Sequence, residues 1–189
     1  MYNRRTQTAV CCVMAILVSG CVSSIPTPQT SAQIASKYGG AQTVEDGFYV
    51  TRYPDGSGSV SVTDNILDDR WSIDCGIDAM TDRRDCHFNN ELGGLFVYYG
   101  NSPSPQSVCI LGHDFPGRTG QIRVDSNAPL TTDAEGCVAA SRIIPQLKAG
   151  SSVTTRSYRW PYDYSVDATT SLAGFNKAMQ VIDGIRSSD

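Results

Sequence analysis

Two runs, Arg70-Trp71-Ser72-Ile73-Asp74-Cys75 and Asp85-Cys86-His87-Phe88, decide the fold class of this 189-residue chain. Each carries aromatic or β-branched residues and is bounded by turn formers, the mark of a short strand. The cysteine in each lets a disulfide close the loop between them. Working outward, the same texture recurs at Phe48 to Tyr53, Ser59 to Thr63, Leu95 to Tyr99, Ser107 to Leu111, Gly120 to Asp125 and Ser152 to Trp160. Pro54-Asp55-Gly56-Ser57-Gly58, Asn101-Ser102-Pro103-Ser104-Pro105 and Pro116-Gly117-Arg118-Thr119-Gly120 supply the turns between them. Strands at this spacing predict an antiparallel β-sandwich or barrel-like domain rather than parallel βαβ units.

Two helices complete the pattern. A short one is expected over Arg142 to Lys148, capped by Ser141 and stopped at Gly150, with Pro145 tolerated near its first turn. At the C-terminus, Ser171 is expected to cap an amphipathic helix with Leu172, Phe175, Met179, Ile182 and Ile185 on one face and Asn176, Lys177, Gln180 and Asp183 opposite.

Composition excludes several classes. Apolar residues make up 40% and charged residues 18%, enough to bury a core and unlike a disordered acidic tail. The 15 Lys plus Arg against 19 Asp plus Glu leave a net charge of -4 with no basic run, which argues against a nucleic-acid partner, since phosphates call for clustered positive charge.

The first twenty residues read as an export signal. Arg4 and Arg5 precede the apolar stretch Ala9 to Val18, too short to span a bilayer, and Ser19-Gly20 follows. Leu17-Val18-Ser19-Gly20-Cys21 resembles the lipobox of bacterial lipoproteins, which implies cleavage before Cys21, acylation of its sulfur, and a membrane partner held through lipid chains. Removing residues 1–20 takes away two arginines and no acid, so the net charge falls from -4 to -6. Val22 is not the acidic residue that would favour inner-membrane retention, so the expected location is the cell envelope, at the outer membrane. Residues 21–45, rich in Ser, Thr, Pro, Gln, Ala and Gly, read as a flexible tether, with a short helix near Gln33 to Tyr38 as the competing reading. Residues 46–189 form the β-rich domain.

Cys75, Cys86, Cys109 and Cys137 remain in an oxidising compartment and read as two disulfides. Three connectivities are open, of which Cys75 with Cys86 and Cys109 with Cys137 is favoured. The spacing lacks a CxxC pair, so a zinc site is not expected, nor any other metal or cofactor.

Trp71-Ser72-Ile73-Asp74-Cys75, Cys86, Gly120-Gln121-Ile122-Arg123-Val124-Asp125, Gly136-Cys137-Val138-Ala139, Leu147-Lys148-Ala149-Gly150 and Ser171-Leu172-Ala173-Gly174-Phe175 with Ala178 together resemble the invasion-associated locus B family, over about residues 65–185. The resemblance implies a small exported protein of Gram-negative bacteria with a compact, mostly β domain, paired cysteines and no enzymatic activity. Its partner would be an envelope or host protein. In that family the partner of the Gly-Cys-Val-Ala cysteine often lies only a few residues upstream, whereas here Cys109 is the one candidate.

No GxSxG or Walker motif appears, so no catalytic residue is assigned. The alternative, an envelope hydrolase or enzyme inhibitor, would use His113 with Asp114 in the loop Gly112-His113-Asp114-Phe115-Pro116-Gly117. Clustered acids (Asp64, Asp68, Asp69, Asp74, Asp78, Asp82, Asp85) lack the calcium-loop pattern and read as solvated turns. The candidate binding face is Arg156, Tyr158, Trp160 and Tyr162, within the most aromatic stretch of the chain, because interleaved Arg, Tyr and Trp are the residues of binding hot spots. A strand packing alternate residues into the core competes with that reading.

Overall fold

The structure is a computed structural model that describes residues 30–65, 69–90 and 92–187. The expected signal peptide, lipobox and Cys21 lie outside the described residues. Twelve strands and three helices follow in the order α1 (Ser31–Lys37), β1 (Ala41–Glu45), β2 (Phe48–Arg52), β3 (Gly58–Ser61), β4 (Arg70–Asp78), β5 (Arg83–Asn90), β6 (Leu95–Gly100), β7 (Ser107–Ile110), β8 (Gln121–Val124), β9 (Leu130–Thr131), β10 (Cys137–Ala139), α2 (Ala140–Ala149), β11 (Ser152–Tyr158), β12 (Ser165–Ser171) and α3 (Phe175–Ser187).

The strands form two antiparallel sheets, one of eight strands in the order β1-β2-β3-β4-β5-β6-β7-β10 and one of four in the order β12-β11-β8-β9. The larger sheet stays open, with β1 and β10 at its edges, so the domain is a sandwich of two sheets and not a closed barrel. Alternation along each strand explains the burial. In β4 Trp71, Ile73 and Cys75 are buried while Ser72 and Asp74 face outward, and in β11 Val153 and Thr155 are buried while Thr154 and Arg156 are not. The inner residues of both sheets join α2 and α3 in one continuous core that includes Val60, Trp71, Phe88, Val97, Tyr99, Ile122, Val153 and Phe175.

Both expected disulfides form. Cys75 lies directly opposite Cys86 across β4 and β5, and Cys109 opposite Cys137 across β7 and β10, with Cα separations of 4.1 and 4.0 Å. The upstream partner of Cys137 is therefore Cys109, supplied by a neighbouring strand 28 positions away.

Three boundaries differ from the sequence reading. Within the expected tether of residues 21–45, Ser31–Lys37 is helical and Ala41–Glu45 pairs with β2. Thr30 and Gln33 form a reciprocal capping box, Gln33 N donating to Thr30 Oγ1 (3.3 Å) and Thr30 N to Gln33 Oε1 (3.0 Å), and the helix seats Ala35 in full burial. Strand β1 then turns back through Asp46-Gly47, both at positive φ (51° and 82°), the conformation that a two-residue type I′ hairpin needs. Glu45 accepts from Arg52 Nη2 at 3.1 Å and from Lys177 Nζ at 3.1 Å, which ties this edge hairpin to α3.

Helix α2 begins at Ala140, not after Ser141, because β10 runs straight into it and Ala140 N is taken by Gln106 O at 3.0 Å. Pro145 accordingly falls at its sixth position, on the exposed side. Helix α3 begins at Phe175, four residues after the expected cap at Ser171. The β11–β12 ladder claims Ser171, Leu172 N still donates to Ser151 O at 2.9 Å, and Gly174 at φ 80° makes the corner into the helix. The expected apolar face is present, with Phe175, Met179 and Ile182 buried beside Ala178 and Val181.

Candidate functional site

The aromatic stretch is the tip of the β11–β12 hairpin. Arg156 is opposite Asp167 and Tyr158 opposite Ser165, and residues 159–164 make the turn, which includes a cis bond between Trp160 and Pro161. The stretch is not the core strand of the competing reading beyond Thr155. Trp160, Tyr162 and Tyr164 are 59%, 54% and 61% exposed, a large apolar area to leave in water.

A second segment, from 45 residues upstream, holds this tip in place. Asp114 N and Phe115 N both donate to Tyr158 O (3.1 and 3.3 Å), and Asp114 Oδ1 accepts from Trp160 N (2.6 Å). Phe115 meets Trp160 edge to face with ring centres 5.2 Å apart. The Arg118 guanidinium lies over Phe115 (5.1 Å) and over Tyr158 (4.8 Å) and pairs with Asp163. Stacked contacts of this kind contribute about 0.5 to 1 kcal/mol each where solvent reaches them. Tyr162 and Tyr164 pack on each other with ring centres 5.7 Å apart.

His113 is the bolt beneath this arrangement. It is buried, its Nδ1 accepts from Tyr158 N (3.1 Å), and its Nε2 lies 3.0 Å from Arg118 O. Since a backbone N–H can only donate, Nδ1 must be unprotonated and Nε2 carries the hydrogen given to Arg118 O. Gly136 closes over the ring; a Cβ there would sit 2.9 Å from His113 Cβ. Both ring nitrogens are thus committed to backbone, which leaves no lone pair for a general base. Replacing His113 with Ala strands a part-buried N–H of Tyr158 and a part-buried carbonyl of Arg118, each at a cost of about 1 to 2 kcal/mol. The expected outcome is a loss of roughly 2 to 4 kcal/mol in urea unfolding, from those two groups together. A variant with native stability would instead return His113 to the list of chemical groups.

The four residues of the candidate face do not act alike. Trp160 and Tyr162 are open to solvent, whereas Tyr158 is half-covered by Arg118. Arg156 is held by Asp167 in two parallel hydrogen bonds of 2.7 Å, Nε to Oδ1 and Nη2 to Oδ2. That pairing lowers the Asp167 carboxyl below its ordinary range and raises the guanidinium. Phe115 and Arg118 belong to the site although nothing local in residue order marks them, because their link to the hairpin is purely spatial. Among the described residues no group of three or more His, Cys, Asp or Glu could hold a metal ion.

Taken together, fold and site define a two-sheet, disulfide-stapled β domain that presents a braced aromatic hairpin. Compared with protein-family models, with curated proteins and with solved structures, the chain matches none.

Proposed function

We propose that this chain is a lipid-anchored envelope protein of a Gram-negative bacterium, related to the invasion-associated locus B family, whose β domain binds an envelope or host protein through the hairpin at Trp160, Tyr162 and Tyr164. One observation carries the reading: three large rings stay in water while the backbone beneath them is fixed by His113, Asp114 and Arg118. A domain gains nothing in stability from such exposure. A binding surface gains a great deal, because a fixed backbone lowers the entropy lost when a partner docks on the rings. The Arg4-Arg5 and apolar leader, the lipobox at Cys21 and the disulfides support an exported, acylated protein at the outer membrane. The hydrolase or inhibitor alternative has less support, since His113 is spent on backbone bonds.

Crosslinking in intact cells, with pull-down and mass spectrometry, tests this directly. Cys21→Ser is expected to release the protein from the membrane fraction. Trp160→Ala with Tyr162→Ala is expected to abolish capture of the partner while costing no more than about 1 to 2 kcal/mol of stability, from the ring contacts with Phe115 and Tyr164. Equal capture by the native and the Trp160→Ala, Tyr162→Ala forms would overturn the hairpin as the contact surface. Unchanged membrane association of Cys21→Ser would overturn the lipid anchor.

A further inference from the structure

The outward face of the four-stranded sheet is a different surface from the aromatic tip, though Arg156 borders both. Register places its side chains in cross-strand rows: Gln121, Arg156 and Asp167 in one, Arg123, Thr154 and Thr169 in the next. Facing residues on adjacent strands are about 5 Å apart, so each row offers polar groups at close, regular intervals. Over them lies a cleft of about 290 Å³, lined by Gln121, Arg123, Asp125, Thr154, Arg156 and Asp167 together with Pro129. That volume is at the small end of ligand sites, which run from roughly 300 Å³.

The charges in the cleft are unequal in their commitments. Arg156 and Asp167 neutralise each other. Asp125 accepts from Ser151 N and Ser152 N at 2.8 to 3.2 Å, which turns it toward the sheet end. Thr154 and Thr169 share one hydroxyl contact of 2.8 Å. Arg123 is exposed and, among the described residues, has no ion-pair or hydrogen-bond partner. One uncommitted guanidinium is therefore surrounded by carboxamide, hydroxyl and carboxylate groups that both donate and accept.

We propose that this face binds a saccharide bearing a carboxylate, with Arg123 taking the carboxylate and Gln121, Thr154, Arg156 and Asp167 the hydroxyls. The lining chooses among ligand classes. A lipid tail or apolar peptide would have to desolvate these polar groups without replacing their hydrogen bonds. A compact anion such as phosphate would satisfy Arg123 but would bring several negative oxygens against Asp125 and Asp167. Sugar hydroxyls donate to those carboxylates and accept from Gln121 and Arg156, while one carboxylate suits one free guanidinium in a two-pronged geometry. This inference goes beyond the protein partner proposed for the hairpin and stands without it.

The test uses the full-length chain and NMR titration, with four probes: a hexuronate oligomer, a disaccharide containing muramic acid, the methyl ester of the hexuronate oligomer, and inorganic phosphate. The expected result is binding of at least one of the two carboxylate sugars, with shifts at Gln121, Arg123, Thr154 and Asp167. Whichever binds identifies the source, a uronate polymer or the cell-wall glycan. The methyl ester and the Arg123→Gln variant should each weaken that binding by roughly tenfold or more, as the loss of a charge-assisted pair requires. Arg123 is exposed and unpaired, so Arg123→Gln should keep the native spectrum elsewhere; Thr154→Val, which removes a hydroxyl and not a charge, should weaken charged and esterified sugars alike. Binding of neither sugar, equal binding of sugar and ester, equal binding by Arg123→Gln, or phosphate competing at the same residues with equal strength would each overturn the proposal.

Discussion

Reduction of both disulfides is expected to bring the domain close to unfolding. Loop-closure entropy assigns about 3 kcal/mol to Cys75–Cys86 and about 3.5 kcal/mol to Cys109–Cys137, from separations of 11 and 28 residues. Their sum, about 6 kcal/mol, rivals the whole net stability of a typical domain, roughly 5 to 15 kcal/mol. In a domain of this size the midpoint of thermal unfolding should fall by roughly 12 to 24 °C. The order of loss is also specified. Cys109 and Cys137 are half-buried at the edge pair β7 and β10, whereas Cys75 and Cys86 are buried between β4 and β5, so mild reductant should open the outer bridge first. Thiol trapping with mass spectrometry during a thermal series reads both effects. A reduced protein that melts within a few degrees of the oxidised one would show that the sheets, and not the bridges, supply the stability.

Trp71→Ala should be the most damaging single substitution. The indole is 1% exposed and sits edge-on to Phe88 (ring centres 5.6 Å apart) and to Phe175 (5.2 Å), linking β4, β5 and α3. Its Nε1 donates to Ala173 O at 2.9 Å, which fixes the corner where the chain leaves β12 and enters α3. Removing the ring leaves a cavity and a bare carbonyl, for an expected loss of about 3 to 5 kcal/mol. Trp71→Phe keeps most of the volume and should cost less, roughly the hydrogen bond plus a partial void, about 1 to 3 kcal/mol. Urea unfolding of the three proteins, followed by near-ultraviolet circular dichroism, separates the cases. If Trp71→Ala lost less than Trp71→Phe, the ring would be strained in the native core and not its keystone.

Much of this architecture was readable along the chain. Period-two runs between turn formers located β2 to β8 and β11, since backbone alternation writes burial directly into residue order. The observed cysteine pairing is the one favoured among three open connectivities, and the apolar stripe of α3 was written in its 3.6-residue period. Where composition stood in for pattern, the reading failed. Residues 31–45 looked like a tether because they hold few large apolar groups, yet the competing short helix near Gln33 to Tyr38 is present as α1 (Ser31–Lys37), and a Thr30/Gln33 capping box, a buried Ala35 and the Asp46-Gly47 turn dock the segment. Those local signals were present in the sequence.

Other features were decided only by the tertiary structure. The short β10 and the start of α2 exist because β7 offers an edge and Gln106 O accepts from Ala140 N; three residues, Cys137 to Ala139, carry too little pattern to reveal a strand. Ser171 has the chemistry of a helix cap, but the ladder with β11 claimed it and moved the helix to Phe175. The candidate binding surfaces depend most on this level. Arg156, Tyr158, Trp160 and Tyr162 could be picked out by residue type, but which of them face solvent depends on His113 and Arg118 reaching the hairpin from 40 or more positions away. The row of Arg123, Thr154 and Thr169 likewise exists only because β8, β11 and β12 are side by side. Sequence by itself determined which residues of the regular strands and of the α3 stripe would be buried, because hydrophobic periodicity is local. Which polar residues would meet was left to the tertiary structure, because hydrogen bonds between distant segments have no period for the sequence to display.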